Sequence, residues 1–306
     1  MFDYRQLKAL ATVIEEQNFE RAATRLHITQ SAVSQRIKQL EEIVGQTLLL
    51  RSHPISATHA GQALLKHFRQ IEMLQNEVLD ALNPTANRGH TTLAIGLNAD
   101  SLASWFIPAI EPLLHKHSLL LDLKVDDQDQ TQTLLRNGEV MGCITSSSTP
   151  LQGCHCIPLG VSVYRCLAAP NFIQHHFPSG PNTQALKQAP IVEFNYKDAL
   201  QQKYLNKFFS ISAGDYPCHR VPSTEAFIDL IIRGYATGMV PDELSAHFLA
   251  NGKLVDIAPG SFLAVPLYWH VWSLKTPLAN ELTQTLISQA RNHLSPLAHY
   301  SELTTP

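Results

Sequence analysis

The sequence predicts an α/β protein in which a small helical head precedes a larger body made of two α/β lobes. The first observation is length, because 306 residues are enough for two or more domains. The second is a change of pattern near residue 91, from helical periodicity to strand-like runs that alternate with helical segments. The third is charge: residues 1–70 hold nine Lys and Arg against six Asp and Glu, so the head is positive and the remainder is negative within a net charge of −3.

The composition, with 44% hydrophobic and 16% charged residues, is that of a globular chain that can bury cores. The longest apolar runs are far shorter than the roughly 20 residues of a membrane helix. The first residues lack the basic stretch and apolar core of a secretory signal. We therefore expect a cytoplasmic protein without membrane association. Five cysteines, an odd number without regular spacing, favour reduced thiols over a disulfide framework.

The sequence gives little support for a metal site or for catalysis. Cys154-His155-Cys156 contains ligand types, but adjacent strand residues point to opposite faces and a closed zinc site needs four ligands, so we prefer metal-free thiols. The chain has no Gly-x-Ser-x-Gly elbow, no His-Glu-x-x-His motif and no phosphate-binding loop. We expect a protein that is not an enzyme and that needs no cofactor.

Helical periodicity predicts two helices at the start of the head. The apolar positions of the first helix are Leu7, Leu10, Ala11 and Ile14. This helix should end near residue 17, and a second helix begins at Phe19. The second helix carries the small pair Ala22 and Ala23, which allows another helix to approach closely.

A third helix is predicted over residues 30–41, with Thr29 as its N-cap. Its apolar stripe consists of Val33, Ile37 and Leu40. Its opposite face carries groups that can bond to base edges, namely Gln30, Ser31, Ser34 and Gln35. Arg36 and Lys38 beside them can hold phosphates. The order of helix, tight turn and helix is typical of a DNA-reading unit; the alternative is the solvated face of an ordinary bundle helix.

Two short strand-like runs flank residues 52–54 and predict a small wing, in which Arg51 can reach a DNA backbone or minor groove. A long helix follows, from about residue 60 to about residue 82. Its apolar seam consists of Leu64, Phe68, Ile71, Gln75, Val78 and Leu82. A helix of about 30 Å extends beyond a small domain, so we expect dimerisation through this seam. The alternative is packing of the helix onto its own domain.

Several segments of the head resemble the winged-helix head of LysR-type transcriptional regulators. They are Ala22-Ala23, residues 29–41, Leu50-Arg51 of the wing and residues 58–61. The resemblance implies a sequence-specific regulator that binds a double-stranded DNA operator as a homodimer or a dimer-of-dimers tetramer and contacts RNA polymerase. It also implies three regions: a winged helix-turn-helix domain over residues 1–60, a linker and dimerisation helix with a hinge over residues 61–90, and a two-lobed, periplasmic-binding-protein-like α/β effector domain over residues 91–306.

The body shows two series of alternating strands and helices after a turn-rich segment at residues 83–90. The first series predicts strands over residues 92–97, 119–125 and 140–145 in a parallel sheet. It also predicts a helix over residues 101–117 that is broken by its prolines, and a helix over residues 130–137. The second predicts strands over residues 164–168, 191–194, 218–221 and 238–241, with a helix over residues 224–233. A strand over residues 266–273 and a helix over residues 278–293 return to the first lobe. Lobe I then covers about residues 91–161 and 267–306, and lobe II about residues 162–266.

Polar residues follow several of these strands, where ligands bind in such folds. In the first lobe they are Asn98, Asp100, Ser101, Asp126, Asp127, Thr145 and Ser146. In the second lobe they are Glu193, Ser223, Thr224 and Glu225. A basic amino acid needs hydroxyl or amide groups for its carboxylate and acidic partners for its cations, and this set contains both. The alternative for each residue is helix capping or a solvated position.

Four segments of the body are similar to those of family members that respond to arginine and lysine. They are residues 98–105, 216–219, 223–227 and 267–270. The resemblance implies L-arginine, L-lysine or both as the effector, and control of genes for basic amino acid transport and metabolism. The alternative is an architectural DNA-binding protein that acts on replication initiation without sensing an effector.

Overall fold

The structure, a computed structural model, describes residues 2–82, 90–126, 131–274 and 276–300. Local capping determines where the head helices begin. Asn18 Oδ1 accepts hydrogen bonds from the backbone amides of Glu20 and Arg21 at 2.7 and 3.1 Å, and Thr29 Oγ1 accepts one from the amide of Ala32 at 3.2 Å. The elements of the head are α1 (Tyr4–Glu16), α2 (Phe19–Leu26), α3 (Gln30–Val44), β1 (Leu49–Leu50), β2 (Ser56–Ala57) and α4 (His59–Leu82).

The predicted head helices and the two strands of the wing are confirmed. The small pair Ala22 and Ala23 is buried where α2 packs against α1 and α3. The apolar stripe of α3 is completely buried: Val33, Ile37 and Leu40. These residues form one core with the first turns of α4, so the polar face of α3 is directed outward.

The seam of α4 divides into two halves. Leu64 and Phe68 are buried in the core of the head. This half of the helix therefore packs onto its own domain, which was the alternative to dimerisation. Val78 and Leu82 remain 57% and 69% exposed. Only the second half of the seam is therefore open to a partner. Residues 83–89 of the predicted hinge at residues 83–90 lie outside the described residues.

The body follows the predicted alternation of strands and helices. Its first elements are β3 (Thr91–Leu97), α5 (Ala99–Ser101), a π-helical turn (Leu102–Phe106), α6 (Ile107–Lys116), β4 (Leu119–Val125), α7 (Thr131–Arg136), β5 (Gly142–Thr145) and β6 (Cys154–Ala168). Next come α8 (Pro170–His176), α9 (Thr183–Gln188), β7 (Ile191–Glu193), α10 (Leu200–Phe209), β8 (Cys218–Arg220) and α11 (Thr224–Ile232). The last are β9 (Gly238–Pro241), α12 (Asp242–Ala250), β10 (Val255–Asp256), β11 (Phe262–Trp272), α13 (Pro277–Ala290) and a 3₁₀ turn (Leu297–Tyr300).

Two long antiparallel strands, β6 and β11, pair along the whole of β11 and join the two lobes. Lobe I contains β3, β4 and β5, with α5, α6, α7 and α13. Lobe II contains β7 to β10 and α8 to α12. The strands β4, β3 and β5 are parallel, as predicted, but β11 pairs antiparallel with β5, so the sheet as a whole is mixed.

Two predictions for the body were wrong in extent. The strand predicted over residues 164–168 begins ten residues earlier, because Pro158 and Gly160 are accommodated within β6. The helix after β3 was expected to be broken by its prolines, yet helical turns run without a gap from Ala99 to Lys116. Pro108 is the second residue of α6, just after the π-helical turn, where the regular ladder of hydrogen bonds is already altered, so its missing amide is tolerated. Pro112 lies inside α6 without ending it.

Each lobe has its own apolar core. Lobe I is centred on Trp105 and Trp269, and lobe II on Tyr204 and Phe172, all of which are buried. Separate cores on either side of the crossing strands leave a cleft between the lobes. Among the described helices, none is long and apolar enough to cross a bilayer.

Candidate functional site

The outer face of α3 presents polar side chains to solvent. Gln30, Ser31, Gln35 and Lys38 are exposed, and Ser34 and Arg36 are partly buried. A helix of this length with one bare polar face can enter a major groove. Helical spacing therefore brings Gln30, Ser31, Ser34, Gln35 and Lys38 to one surface, whereas Arg36 lies beside the buried stripe of α3.

Thr29 has a structural role at the start of this face. Its hydroxyl accepts from the Ala32 amide and lies 2.9 Å from Ser31 Oγ. Lys38 Nζ lies 3.8 Å from Glu42 Oε1, with both side chains largely exposed, so this ion pair is weak and leaves the ammonium available to a phosphate.

The wing contributes one cation. Arg51 is exposed directly after β1, and its guanidinium lies over the ring of Phe19, 5.5 Å from the centroid. This cation–π contact joins the wing to the first residue of α2. A phosphate bound at Arg51 would therefore be held in a fixed position relative to the helix-turn-helix unit.

A cavity of about 450 Å³ lies in the cleft between the lobes. Lobe I lines it at the end of β3 with Asn98 and Asp100, and lobe II lines it with Asp198 and with Thr224 at the start of α11. Tyr164 of the crossing strand β6 forms part of its wall. A volume of this size suits a small molecule.

Asp100 is the most strongly perturbed carboxylate of this cavity. Its Oδ2 accepts from the hydroxyl of Tyr164 at 2.9 Å, and its Oδ1 lies 3.5 Å from the hydroxyl of Thr224. The pKa of Asp100 is raised to about 6, mainly by burial and in smaller part by the nearby charge of Asp198, against the hydrogen bonds from Tyr164 and Thr224 that lower it. A cation in the cavity would stabilise the ionised form.

A second acidic group lies behind this one. Ser162 donates to Glu243 Oε2 at 2.9 Å, and burial raises the pKa of Glu243 to about 7, with Asp242 and Asp100 contributing in the same direction. Burial likewise raises the pKa of Tyr164 well above its ordinary value, so its hydroxyl remains a donor. The cavity thus has a wall with a surplus of acidic groups.

Asn98 provides an unused acceptor. Its Oδ1 atom is buried and has no hydrogen-bond partner among the described residues. Buried polar atoms are nearly always paired in folded proteins. An unpaired amide oxygen that lines a cavity is therefore the expected mark of a site whose ligand carries an N–H donor.

The structure brings only some of the predicted effector residues together. Those that line the cavity are Asn98, Asp100, Asp126, Ser146 and Thr224. Asp127 lies outside the described residues. Ser101 and Thr145 are not part of the cavity wall. Ser101 is buried, and Thr145 Oγ1 accepts a hydrogen bond from the amide of Ser147.

Three predicted residues of lobe II are occupied elsewhere. Glu193 is buried and accepts from the hydroxyl of Tyr216 at 2.7 Å, while Arg220 lies 3.6 Å from its other oxygen. Ser223 caps α11 by accepting from the Ala226 amide, and Glu225 is exposed in the first turn of that helix. Ser223 and Glu225 thus have the capping and solvated roles that were the alternatives, whereas Glu193 has neither role and is paired within lobe II.

The wall has other polar residues that the sequence pattern did not indicate: Tyr164, Asn195, Lys197, Asp198, Gln201 and Lys203. Asp198 had a detectable signal, because an Asp just before an apolar helical pattern is typical of a helix N-terminus. Lys197 had none, since a loop lysine is normally solvated. Within the described part of the chain, no three His, Cys, Asp or Glu side chains are grouped as metal ligands.

Comparison with protein families identifies the class. Residues 4–62 match the bacterial regulatory helix-turn-helix protein, lysR family, and residues 86–295 match the LysR substrate binding domain. The chain belongs to the LysR family of transcriptional regulators, which bind DNA and are not enzymes.

Within the family, the chain is similar to regulators named ArgP. It is 43% identical over 294 residues to the HTH-type transcriptional regulator ArgP of Aeromonas salmonicida, covering 96% of this chain and 98% of the relative. The crystal structure of ArgP from Mycobacterium tuberculosis has a TM-score of 0.85 at 39% identity, over 95% of this chain and 98% of that one.

A further neighbour is LysG from Corynebacterium glutamicum, solved at full length with the effector Arg bound. Its TM-score is 0.78 at 31% identity, over 96% of this chain and all of that one. The neighbours thus share both the head and the two-lobed body of this chain.

Proposed function

We propose that this protein is a sequence-specific transcriptional regulator that binds a basic amino acid in the cavity between its lobes. The observation that carries the proposal is the pair of carboxylates, Asp100 and Asp198, on opposite lobes of one cavity. The bound arginine of the related LysG supports the same ligand class. We include L-lysine beside L-arginine, because both carry an α-ammonium group and a cationic side chain.

The chemistry favours a cation over a neutral ligand. Two carboxylates in a partly desolvated space raise each other's free energy, and a bound ammonium or guanidinium relieves that repulsion. Asn98 Oδ1 can accept from the same ligand. Because the two lobes each supply one carboxylate, binding would stabilise one relative position of the lobes and so shift the equilibrium between two arrangements of the protein.

On DNA, we assign the readout of bases to the polar face of α3, and the phosphate contacts to the cations. Base edges would contact Gln30, Ser31, Ser34 and Gln35, and phosphates would contact Arg36, Lys38 and Arg51. Thr29 would act as the cap that holds the start of this helix.

The proposal extends to the organisation of the protein. We propose a DNA-binding domain over residues 1–60, a linker helix and hinge over residues 61–90, and an effector domain over residues 91–306, with lobe I and lobe II divided as predicted. Val78 and Leu82 on the open half of the α4 seam would pair two chains, and paired heads would bind a two-fold operator in the cytoplasm. RNA polymerase and the genes of basic amino acid transport and metabolism are the proposed partner and targets.

Calorimetric titration tests the effector assignment. Arginine and lysine should bind to the full-length protein and glutamine should not. Asp100→Asn should lower arginine affinity at least about tenfold, since it removes a charged partner from a partly buried site. Glu225→Gln, an exposed carboxylate in the same region but outside the cavity, is the matched control and should bind arginine normally.

Duplex DNA selected from a random library by the protein then completes the test. Arginine should change the affinity or the footprint on the selected duplex for the wild-type protein and not for Asp100→Asn. If neither arginine nor lysine binds while the duplex is held normally, the sensor proposal fails. The architectural alternative, in which DNA binding acts on replication initiation without an effector, would then be favoured.

A further inference from the structure

The charged side chains at the cavity suggest how an amino acid would be oriented, an inference that rests on the proposed function. Every free amino acid carries a carboxylate, which needs a cation or amide donors when it leaves water. Among the described residues that line the cavity, the cations are Lys197 and Lys203, and the carboxylates are Asp100, Asp126 and Asp198.

Helix N-termini often bind anions, but those at the cavity are unsuited to a ligand carboxylate. In α5, which begins at Ala99, Asp100 itself lies in the first turn. At α10, Asp198 Oδ1 already accepts from the amide of Leu200 at 2.9 Å. At α11, the first residue, Thr224, lies with its hydroxyl 3.5 Å from Asp100 Oδ1. A ligand carboxylate at any of these ends would meet a negative charge that is already there.

Lys197 lies in the loop between β7 and α10, with its side chain 62% exposed and its Nζ 3.5 Å from Asp126 Oδ1. Close charge-assisted hydrogen bonds are shorter, about 2.7–2.9 Å. An ammonium has three N–H donors, so Lys197 can bind a ligand carboxylate without losing Asp126. Lys203, in the first turn of α10, is also exposed and lines the same cavity.

We propose that Lys197 Nζ binds the α-carboxylate of the amino-acid effector, while Asp100 and Asp198 face its cationic groups. Lys197 belongs to lobe II and Asp126 to lobe I, so the carboxylate binds beside an ion pair that already joins the lobes. Lys197 therefore recognises the part that all amino acids share, and the carboxylates recognise the basic side chain.

A cycle that changes the ligand and the protein separately tests this assignment. Arginine and agmatine, which is arginine without its carboxylate, are titrated into the full-length wild type, Lys197→Met and Lys203→Met, which alters the other lysine of the cavity. The matched control is Lys207→Met, an exposed lysine of α10 outside the cavity, which should keep the wild-type preference. Wild type should bind arginine up to about fivefold more tightly than agmatine, the upper range for an exposed ion pair. Lys197→Met should bind arginine and agmatine with equal affinity, and its affinity for agmatine should not be lower than that of the wild type. Lys203→Met should keep the preference for arginine. Lys197→Arg should restore part of that preference.

Several results would overturn the assignment. One is a preference for arginine that survives Lys197→Met, and another is a preference that disappears in Lys203→Met instead. Tighter arginine binding by Lys197→Met would show that the lysine competes with the effector's cations for Asp126. These results leave the proposed function intact, whereas a wild type that binds neither arginine nor lysine would end both. Thermal melts of each variant confirm that the cavity is still folded.

Discussion

The reading face of α3 and the cavity between the lobes both recognise their targets with polar side chains, but they are assembled differently. The reading face lies within one helix, so the spacing of residues 30–38 alone brings its side chains to one surface. The cavity joins Asp100 of lobe I with Thr224 of lobe II, 124 positions apart in sequence, and places Tyr164 between them. A local surface follows from periodicity, whereas a site between lobes depends on how distant strands pair.

The largest expected effect concerns the stability of the two regions. Trp269 is completely buried in lobe I, where its Nε1 donates to Thr283 Oγ1 at 3.1 Å. Trp269→Ala should lower the unfolding free energy of the body by about 3–5 kcal/mol, as large core truncations do, and should leave the head unchanged. Differential scanning calorimetry of the full chain would measure both transitions.

Ile43→Ala, which alters an exposed side chain of α3, is the control for the Trp269 variant and should change stability by less than about 0.5 kcal/mol. If Trp269→Ala lowered both transitions together, the two regions would form one cooperative unit. The difference between a surface within one helix and a site between two lobes would then not be accompanied by independent unfolding of the head and the body.

The next prediction separates base-reading from phosphate-binding residues on the polar face of α3. Gln35→Ala should reduce discrimination between operators by about 1–3 kcal/mol, because an amide can pair with a base edge. Lys38→Ala should weaken binding to all duplexes. It should also reduce the slope of log affinity against log salt concentration by about one, because one phosphate contact is lost. Fluorescence anisotropy at several salt concentrations measures both, and equal losses of discrimination in the two variants would contradict this division.

Protonation should affect the cavity and not the reading face. With its pKa raised to about 6 by burial, Asp100 of the empty cavity is protonated at lower pH, whereas a bound cation favours the ionised form. Arginine affinity should therefore be greatest above pH 6 and should fall by up to about tenfold per pH unit below it. Calorimetry in buffers of different ionisation enthalpy would measure the affinity and the protons released.

The other acidic groups near Asp100 are Asp198, Asp126 and Glu243, with the hydroxyls of Tyr164 and Thr224. Glu243→Gln separates their contributions, because the pKa of Glu243 is raised to about 7 by burial while its side chain bonds to Ser162 rather than to Asp100. A pH dependence that persists in Asp100→Asn and disappears in Glu243→Gln would assign the titration to Glu243 instead.

The smallest expected effect concerns the cap of α3. Thr29→Ala removes the acceptor for the Ala32 amide and should cost about 1 kcal/mol of head stability, with a uniform loss of DNA affinity. Thr29→Ser keeps the hydroxyl and should behave as wild type. Chemical unfolding measures the change, and altered preference among operators in Thr29→Ala would show that Thr29 reads a base.

Much of the fold could be predicted because its elements carry local signals. The helices of the head and the strand over residues 119–125 lie where periodicity predicted them. The first part of β6 could not be predicted, because Pro158 and Gly160 normally interrupt strands. The long pairing with β11, which also contains Pro266 and has a shift in register between Leu267 and Tyr268, accommodates them.

The candidate site was predictable in part for the same reason. The residues after β3 were found because ligands gather at the carboxyl ends of strands, and Asn98 and Asp100 do line the cavity. Glu193 also ends a strand, yet Tyr216 and Arg220 bind its carboxylate away from the cavity. No pattern in the sequence distinguishes a carboxylate that will find a partner in its own lobe from one that faces the cleft.

The sequence by itself determined the helices of the head, the polar face of α3 and the family of the chain, because short-range spacing and capping act between residues close in sequence. Only the tertiary structure decided that Asp100 and Asp198 share one cavity, that Lys197 lines the same cavity, and that half of the α4 seam is buried. The first two features depend on β6 and β11 crossing between the lobes, and the third depends on the packing of α4 into the core of the head. Contacts between distant segments form only when complete cores pack, and no local pattern specifies them in advance.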